Sequence, residues 1–272
     1  MHMPELPEVE ITRRGIEAHI TQQTIERVRT HTPRLRWPIP QLNLHLKNQT
    51  ISSITRRGKY ILIHVQKGTL IIHLGMSGCL KILTQDTPRI KHDHVEIFFK
   101  SGVCLRYNDP RRFGAMLWTN EPAENHIRLI DLGIEPLEKS FTGETLYQIT
   151  QQRRCSIKAL IMNSHLIVGI GNIYATEALF ISKISPTTLA NRLSKKRCEK
   201  LASAIKIVLN HAIDQGGTTL KDFRHSDGKP GYFSQQLQVY GKAGQPCPAC
   251  QRTLKLITQQ QRSTTYCTQC QR

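Results

Sequence analysis

No run of about 18 apolar residues occurs in this chain, which excludes a membrane-spanning helix of ordinary length. The N-terminus also lacks the apolar h-region of a secretory signal, so a cytosolic protein is expected. Negative charge is scarce. Only 20 Asp and Glu stand against 38 Lys and Arg, giving a formal charge of +18 and a pI near 9.8. Such an imbalance favours a polyanionic partner, most often nucleic acid, over a membrane surface or a merely basic enzyme. Cysteine is sparse through most of the chain. Cys79, Cys104, Cys155 and Cys198 are scattered and read as buried thiols rather than ligands or disulfide partners. What remains is ample for a core: 272 residues with 39% hydrophobic content suit two domains, or one with a small appendage.

The other four cysteines crowd into the last 26 residues as Cys247-Pro-Ala-Cys250 and Cys267-Thr-Gln-Cys270, with 16 residues between the inner pair. Each CxxC turn converges two thiolates, and two such turns complete a tetrahedral Zn²⁺ site. Paired disulfides or redox motifs are the competing reading, which a cytosolic context and the duplicated spacing disfavour. The spacer suits a β-hairpin with strands at Leu254–Ile257 and Thr264–Tyr266. So short a segment has little core, and metal binding should supply much of its folding free energy. Its polar tip, Gln259 to Thr264, carries Arg262. A solvated turn explains that tip, and a basic side chain on a rigid hairpin also suits phosphate contact.

Elsewhere the period of the apolar residues organises the chain. Pro7 to Ile20 reads as a helix, with Pro7 in its first turn and Glu8 and Glu10 at its positive end. From Ile51 to about Trp118 the period shifts to strands, including Tyr60–Val65, Leu70–Leu74, Val95–Phe99 and Val103–Tyr107. Their spacing predicts an antiparallel sandwich or barrel. Beyond Pro136 the pattern is helical: Cys198, Leu201, Ile205, Val208 and Ala212 share a face, and Gly216-Gly217 supplies a stop. Thr218 to Gln238 is polar and reads as a long functional loop. There is no internal repeat, so the order is β-rich domain, helical domain, zinc hairpin.

Several short motifs carry chemistry. Val168-Gly-Ile-Gly-Asn172 places glycines before a helix that Asn172 is positioned to cap; such a terminus binds phosphate, although a structural turn needs the same glycines. Asn108 to Gly114 is a turn presenting Arg111 and Arg112 beside Phe113. Phe113 tucked into the core is the default reading of that string; insertion of the ring into a base stack, with arginine on an exposed base, is the alternative. Arg57-Gly58-Lys59-Tyr60 puts a lysine at a strand entrance. Lys91-His92-Asp93-His94 is a polar cluster that resembles an ordinary strand entrance more than a second metal site.

Taken together these strings resemble the bacterial formamidopyrimidine-DNA glycosylase family. Pro4–Glu10, Arg57–Tyr60, His73–Gly78, Lys91–His94, Asp109–Gly114, Val168–Ala175, Gln215–Leu220, Ser226–Phe233 and the four terminal cysteines appear in the family's order across essentially the whole chain. The sister family, endonuclease VIII, shares the architecture but matches the opening and the Arg-Arg-Phe string less well. The resemblance implies an α+β multidomain fold: an antiparallel β-sandwich with an N-terminal helix over 1–134, a helix-two-turn-helix domain with a lesion lid over 135–238, and a zinc hairpin over 239–272. It implies one structural Zn²⁺ on Cys247, Cys250, Cys267 and Cys270, and a monomer acting on double-stranded DNA that contains oxidised bases or abasic sites. The implied activity is excision of oxidised purines followed by β,δ-elimination through a Schiff base at Pro4. Glu5 corresponds to the acid assisting sugar opening, Lys59 to the residue credited with proton donation and phosphate contact, and Arg262 to the residue of the second elimination. Met76, Arg111 and Phe113 match the trio that fills the void left by a flipped nucleotide. His73, His92, Arg153 and Asn172 match DNA-contacting positions; Arg153 departs from the lysine often found there and keeps the charge. Thr218–Phe233 matches the lid.

One departure bears on all of this. Met1-His2 precedes the segment, and only a Pro4 freed of both residues and of Met3 has a nucleophilic secondary amine. An upstream start codon and a cloning remnant are the two explanations. With the extension retained, the expectation changes to a lesion-binding protein without base excision.

Overall fold

The structure, a computed structural model, describes residues 3–217 and 236–272. The described residues form two compact units, 3–130 with 215–217 and 131–214 with 236–272. The lid assignment, Thr218–Phe233, lies outside the described residues.

The first unit begins with α1 (Leu6–Ile20), one residue earlier than Pro7. Glu5 is its N-cap, and the Glu5 amide donates to Glu8 Oε2 at 2.9 Å, satisfying a donor that a helix start leaves open. Eight strands then make two antiparallel sheets. One sheet has the order β1 (Ile25–Thr30), β6 (Asp93–Phe99), β7 (Val103–Asn108), β5 (Cys79–Thr84). The other has the order β2 (Ile51–Arg57), β3 (Tyr60–Val65), β4 (Gly68–His73), β8 (Ala115–Thr119). A short helix, α2 (Leu42–Leu46), follows β1. Alternate residues build the core between the sheets: Ile61 and Ile63, Leu70 and Ile72, Val95, Ile97 and Phe99, Leu105 and Tyr107, closed by Val9, Ile16 and Ile20 of α1. Burying each such side chain contributes about 1.5–3 kcal/mol. Strand β1 lies outside the strand region expected from periodicity. A bulge between Ile25 and Arg27 lets Ile25 and Val28, three apart, both face the core, so the period of two is hidden.

The second unit is helical with a terminal hairpin. It contains α3 (Gly143–Gln151), α4 (Ile157–Ile161), α5 (Asn172–Ile181) and α6 (Lys195–Asp214). Thr142 Oγ1 caps α3 by accepting from the Thr145 amide at 3.1 Å, and Ser156 Oγ caps α4 from Ala159 at 3.3 Å. Helix α5 is buried on every face from Asn172 to Phe180, whereas α6 buries one stripe. The hairpin is β9 (Lys255–Gln259) and β10 (Arg262–Tyr266), with the first strand shifted toward the turn and the second beginning two residues earlier than expected. No helix among the described residues is long and apolar enough to cross a membrane. Of the scattered cysteines Cys79, Cys104 and Cys198 are buried as expected, but Cys155 is exposed, because it sits in the loop ahead of the α4 cap rather than on a packed face.

Candidate nucleic-acid interface and metal centre

Pro4 and Glu5 are buried at the head of α1 in the first unit. Lys59 is presented by a tight turn of the sandwich. Arg57 pairs with Tyr60, leaving Gly58-Lys59 as a two-residue loop, and Gly58 takes a φ of +57°, the conformation that puts glycine first in such a hairpin. The next register pair, Tyr60 with His73, brings the end of β4 beside this turn, with the two rings 4.8 Å apart. Burial holds the His73 imidazole down to about 4, assisted by the nearby charges of Lys59 and Arg36. His73 is therefore neutral at physiological pH. Its Nδ1 accepts from the Gly75 amide at 3.0 Å, which assigns the proton to Nε2 and makes that atom a donor.

Two adjoining loops carry the expected void-filling side chains. Phe113 is 46% exposed, so the default reading of a ring tucked into the core is not what forms. The Arg111 guanidinium lies 4.9 Å from the centre of the Phe113 ring. Met76 is half-buried on the opposite loop. The loops are locked by close approach: a Cβ on Gly75 would lie 2.4 Å from the Gly114 nitrogen, and one on Gly114 would lie 1.7 Å from Tyr107 Oη. A cavity of about 540 Å³ opens here, lined by Met3, Arg34, Arg36, Met76, Arg111 and Phe113 among others. Sequence reasoning does not single out Arg34 and Arg36; their one signal is alternation with Leu35, whose burial turns both guanidiniums outward. His92 adopts a left-handed φ of 73° at the entrance to β6. Asp93 pairs with Arg106 at 3.2 Å and His94 Nε2 meets the Asp109 carbonyl at 2.9 Å, so these two residues are spent on structure, and the cluster is not among the metal-competent groups of the described residues.

In the second unit Asn172 is the first residue of α5, and Gly171, not Asn172, is the cap. The Asn172 side chain is engaged elsewhere: Lys158 Nζ donates to its Oδ1 at 2.6 Å, and its Nδ2 donates to the Ser263 carbonyl at 2.9 Å. Lys158 is almost fully buried and also donates to Thr264 Oγ1 at 2.6 Å, tying the helix start to β10. Periodicity places Lys158 on no particular face, and an isolated lysine gives no sequence signal for burial. Gln260 and Gln261 take φ of 48° and 59°, forming the two-residue turn of a hairpin, and Arg262 opens β10 on the exposed side. Arg153 is exposed in the loop between α3 and α4.

The four terminal cysteines come together. Their Sγ atoms lie within 4.8 Å of one another, with Cys250 to Cys267 at 3.4 Å and Cys247 to Cys270 at 3.9 Å. A tetrahedral ion with Zn–S bonds of about 2.3 Å requires S···S edges of about 3.8 Å, so the donor set fits zinc. Burial raises the Cys267 thiol, but backbone donors from Cys270 and Gln269, together with hydrogen bonds from the Cys250 and Cys247 thiols, outweigh this and bring it to about 7, favouring the thiolate. Gln271 braces the second knuckle, accepting from the Cys267 amide at 2.9 Å and donating to Ile184 O at 3.0 Å.

Known proteins match this chain along its whole length. The formamidopyrimidine-DNA glycosylase N-terminal domain matches residues 3–116, its H2TH domain residues 132–224, and the zinc finger found in FPG and IleRS residues 244–272. The formamidopyrimidine-DNA glycosylase of Thioalkalivibrio sulfidiphilus (strain HL-EbGR7) is 52% identical over 271 residues, 99% of this chain and 100% of that protein. The protein of the same name from Escherichia coli (strain 55989 / EAEC) is 52% identical over 270 residues, again 99% and 100% of the two chains. Among solved structures, MutM (Fpg) from Thermus thermophilus superposes with a TM-score of 0.88 at 33% identity, covering 98% of each chain. Lactococcus lactis Fpg (MutM) in complex with DNA containing N7-benzyl-Fapy-dG superposes with a TM-score of 0.90 at 33% identity, covering 98% of this chain and 99% of that one. With the sandwich, the helical unit and the four-cysteine hairpin all matched, this chain belongs to the formamidopyrimidine-DNA glycosylase family.

Proposed function

We propose that this chain excises oxidised purines from duplex DNA and cleaves the abasic site it creates. The observation that carries the reading is the exposed Phe113 with Arg111 over its ring, facing Met76 across a cavity edged by arginines. An apolar wedge beside a cation serves an enzyme that must take a nucleotide out of the stack and occupy the space it leaves. Arg111 reads the orphaned base, cytosine by preference, through its paired donors.

The chemistry then falls to the head of α1. A terminal proline amine titrates near pH ~8, so a useful fraction is neutral and nucleophilic. Its nitrogen forms a bond to the sugar C1′ as the bond to the damaged base breaks, and the base leaves with a proton. Glu5 gives a proton to the ring oxygen as the sugar opens. The resulting iminium already carries its positive charge and acidifies the C2′ proton; its loss expels the 3′ phosphate, and a second elimination expels the 5′ phosphate. Lys59 moves protons at the first elimination and holds phosphate, and Arg262 serves the second. His73 donates from Nε2 to phosphate as a neutral ring, while His92, Arg153 and Asn172 complete the backbone contacts. Zinc bound by four thiolates has no open position and keeps the hairpin folded. This activity belongs in the cytoplasm, on the nucleoid.

Borohydride trapping on a duplex containing 8-oxoguanine opposite cytosine tests the reading, with intact mass used first to verify a Pro4 terminus. A covalent protein–DNA adduct is expected. Its absence from verified protein rejects the mechanism, and faster release of thymine glycol than of 8-oxoguanine would reassign the substrate to oxidised pyrimidines.

A further inference from the structure

Four of the DNA-reading side chains in the first unit, Met76, His92, Arg111 and Phe113, sit on three separate loops. A wedge works only if those loops hold a fixed spacing, so something must tie them. Asp109 is fully buried and touches all three. Its Oδ1 accepts from Ser77 Oγ at 2.6 Å, next to Met76, and from the Arg111 amide at 3.3 Å. Its Oδ2 accepts from the Gly114 amide at 2.8 Å, next to Phe113, and from Tyr107 Oη at 3.2 Å. Its backbone amide donates to the His92 carbonyl at 3.1 Å, and its carbonyl meets His94 Nε2 at 2.9 Å.

We infer that Asp109 is the positioning residue of the lesion wedge, fixing Met76, Arg111 and Phe113 as one unit with His92. The inference rests on the wedge reading given above and adds to it a residue that meets no DNA itself. The chemistry of the partners makes it specific to a carboxyl group. All four side-chain contacts are donors, and two of them are backbone N–H groups that cannot reverse role. An asparagine has the same shape but one acceptor edge. One orientation of its amide sets NH₂ against the Gly114 amide and releases that loop; the other sets it against the Arg111 amide, which then keeps Ser77 Oγ, at 3.2 Å, as acceptor. Displacement of a positioned group by about 1 Å costs up to about 100-fold in function.

The test reads wedge insertion without chemistry. Wild type, Asp109→Asn and Ser77→Ala are titrated against a duplex with 2-aminopurine opposite a tetrahydrofuran abasic analogue, and against the undamaged duplex. Wild type is expected to raise the fluorescence of the orphaned base and to prefer the lesion. Asp109→Asn should lose about tenfold or more of that preference and most of the fluorescence rise, while its affinity for undamaged DNA stays as in wild type. Ser77→Ala, which removes one donor to the carboxyl and one acceptor of the Arg111 amide but keeps the carboxyl, should fall between the two; if Asp109→Asn does not fold, this variant decides. Unchanged preference in the variants overturns the inference, as does an equal loss on both duplexes, which marks a purely structural role. No fluorescence rise with wild type also overturns it, since there is then no wedge to position. If wild type unstacks the orphaned base but releases no 8-oxoguanine, the enzymatic reading fails and the Asp109 inference stands.

Discussion

Acidification should weaken the first unit through His73, and the size of the effect follows from its surroundings. The imidazole is almost completely enclosed, and burial, then Lys59 and Arg36, depress it from 6.5 to about 4. In the unfolded chain the ring returns to about 6.5. Between those values the unfolded state binds a proton that the folded state does not, so stability falls as pH falls. The slope is about 1.4 kcal/mol per pH unit, and the loss totals about 3 kcal/mol once pH reaches 4. Well above pH 6.5 the ring is unprotonated in both states and His73 contributes no pH dependence. Both tryptophans, Trp37 and Trp118, belong to the first unit, so urea unfolding followed by tryptophan fluorescence reports that unit. The His73→Gln variant keeps an acceptor for the Gly75 amide and has nothing to titrate. Comparing the two proteins removes the contributions of His64, His94 and His126, which are shifted in the same direction by burial. Wild type should lose about 3 kcal/mol more than the variant between pH ~7 and pH ~4. Parallel profiles would refute a neutral, desolvated His73 and with it the assignment of Nε2 as an uncharged donor.

Phe113→Ala should leave the unfolding free energy from urea titration within about 0.5 kcal/mol, because the ring is half exposed; lesion binding should fall about tenfold or more while undamaged DNA is bound as before. Equal loss on both would argue against a wedge. Gly114→Ala pushes a methyl group into Tyr107 Oη and the His73 carbonyl, both deep in the core. A destabilisation of about 1–3 kcal/mol is expected in the same fluorescence assay, and a neutral result would mean the two loops are not locked. Chelation of zinc should raise hydrogen exchange throughout residues 244–272 and reduce DNA affinity, yet leave the tryptophan transition of the first unit in place. Unchanged affinity would put Arg262 outside the interface.

What can be read from sequence is whatever is local. The CxxC pairs state their own chemistry, Gly58 states its turn, and alternation of apolar residues in β3, β4, β6 and β7 states the sandwich. Phe113 is legible only as a choice between core and wedge, since its exposure depends on how tightly Gly114 packs under it. Helix-start rules make Asn172 a cap, and they fail because its side chain has a better partner over ninety residues away at Ser263. Lys158, Asp109 and Glu177 escape sequence reasoning on the same grounds. Glu177, for example, accepts from three consecutive amides, Gln238, Val239 and Tyr240, at 2.7–3.0 Å, although nothing near it in sequence asks for a carboxylate. Their roles exist only after distant segments have met.

Those buried carboxylates also change the meaning of the net charge. Among the described residues eight Asp and Glu side chains are buried, but only two Arg and Lys, namely Arg106 and Lys158. Arg106 is matched internally by Asp93 at 3.2 Å and Glu96 at 2.9 Å. Glu10 shows the bias at its boundary: burial raises its carboxyl, yet hydrogen bonds from Arg13 and Arg14 outweigh this and hold it below the usual range. The acids are thus consumed as internal clamps, while the cations are left outward. Among the described residues the exposed side chains are therefore richer in cations, relative to acids, than the composition behind the formal +18 of the chain. That charge attracts the backbone over about a Debye length and carries no sequence information. On the proposed reading, discrimination comes from the few groups whose positions those clamps fix, so the scarcity of exposed acidic residues and the positioning of the proposed wedge are parts of one arrangement.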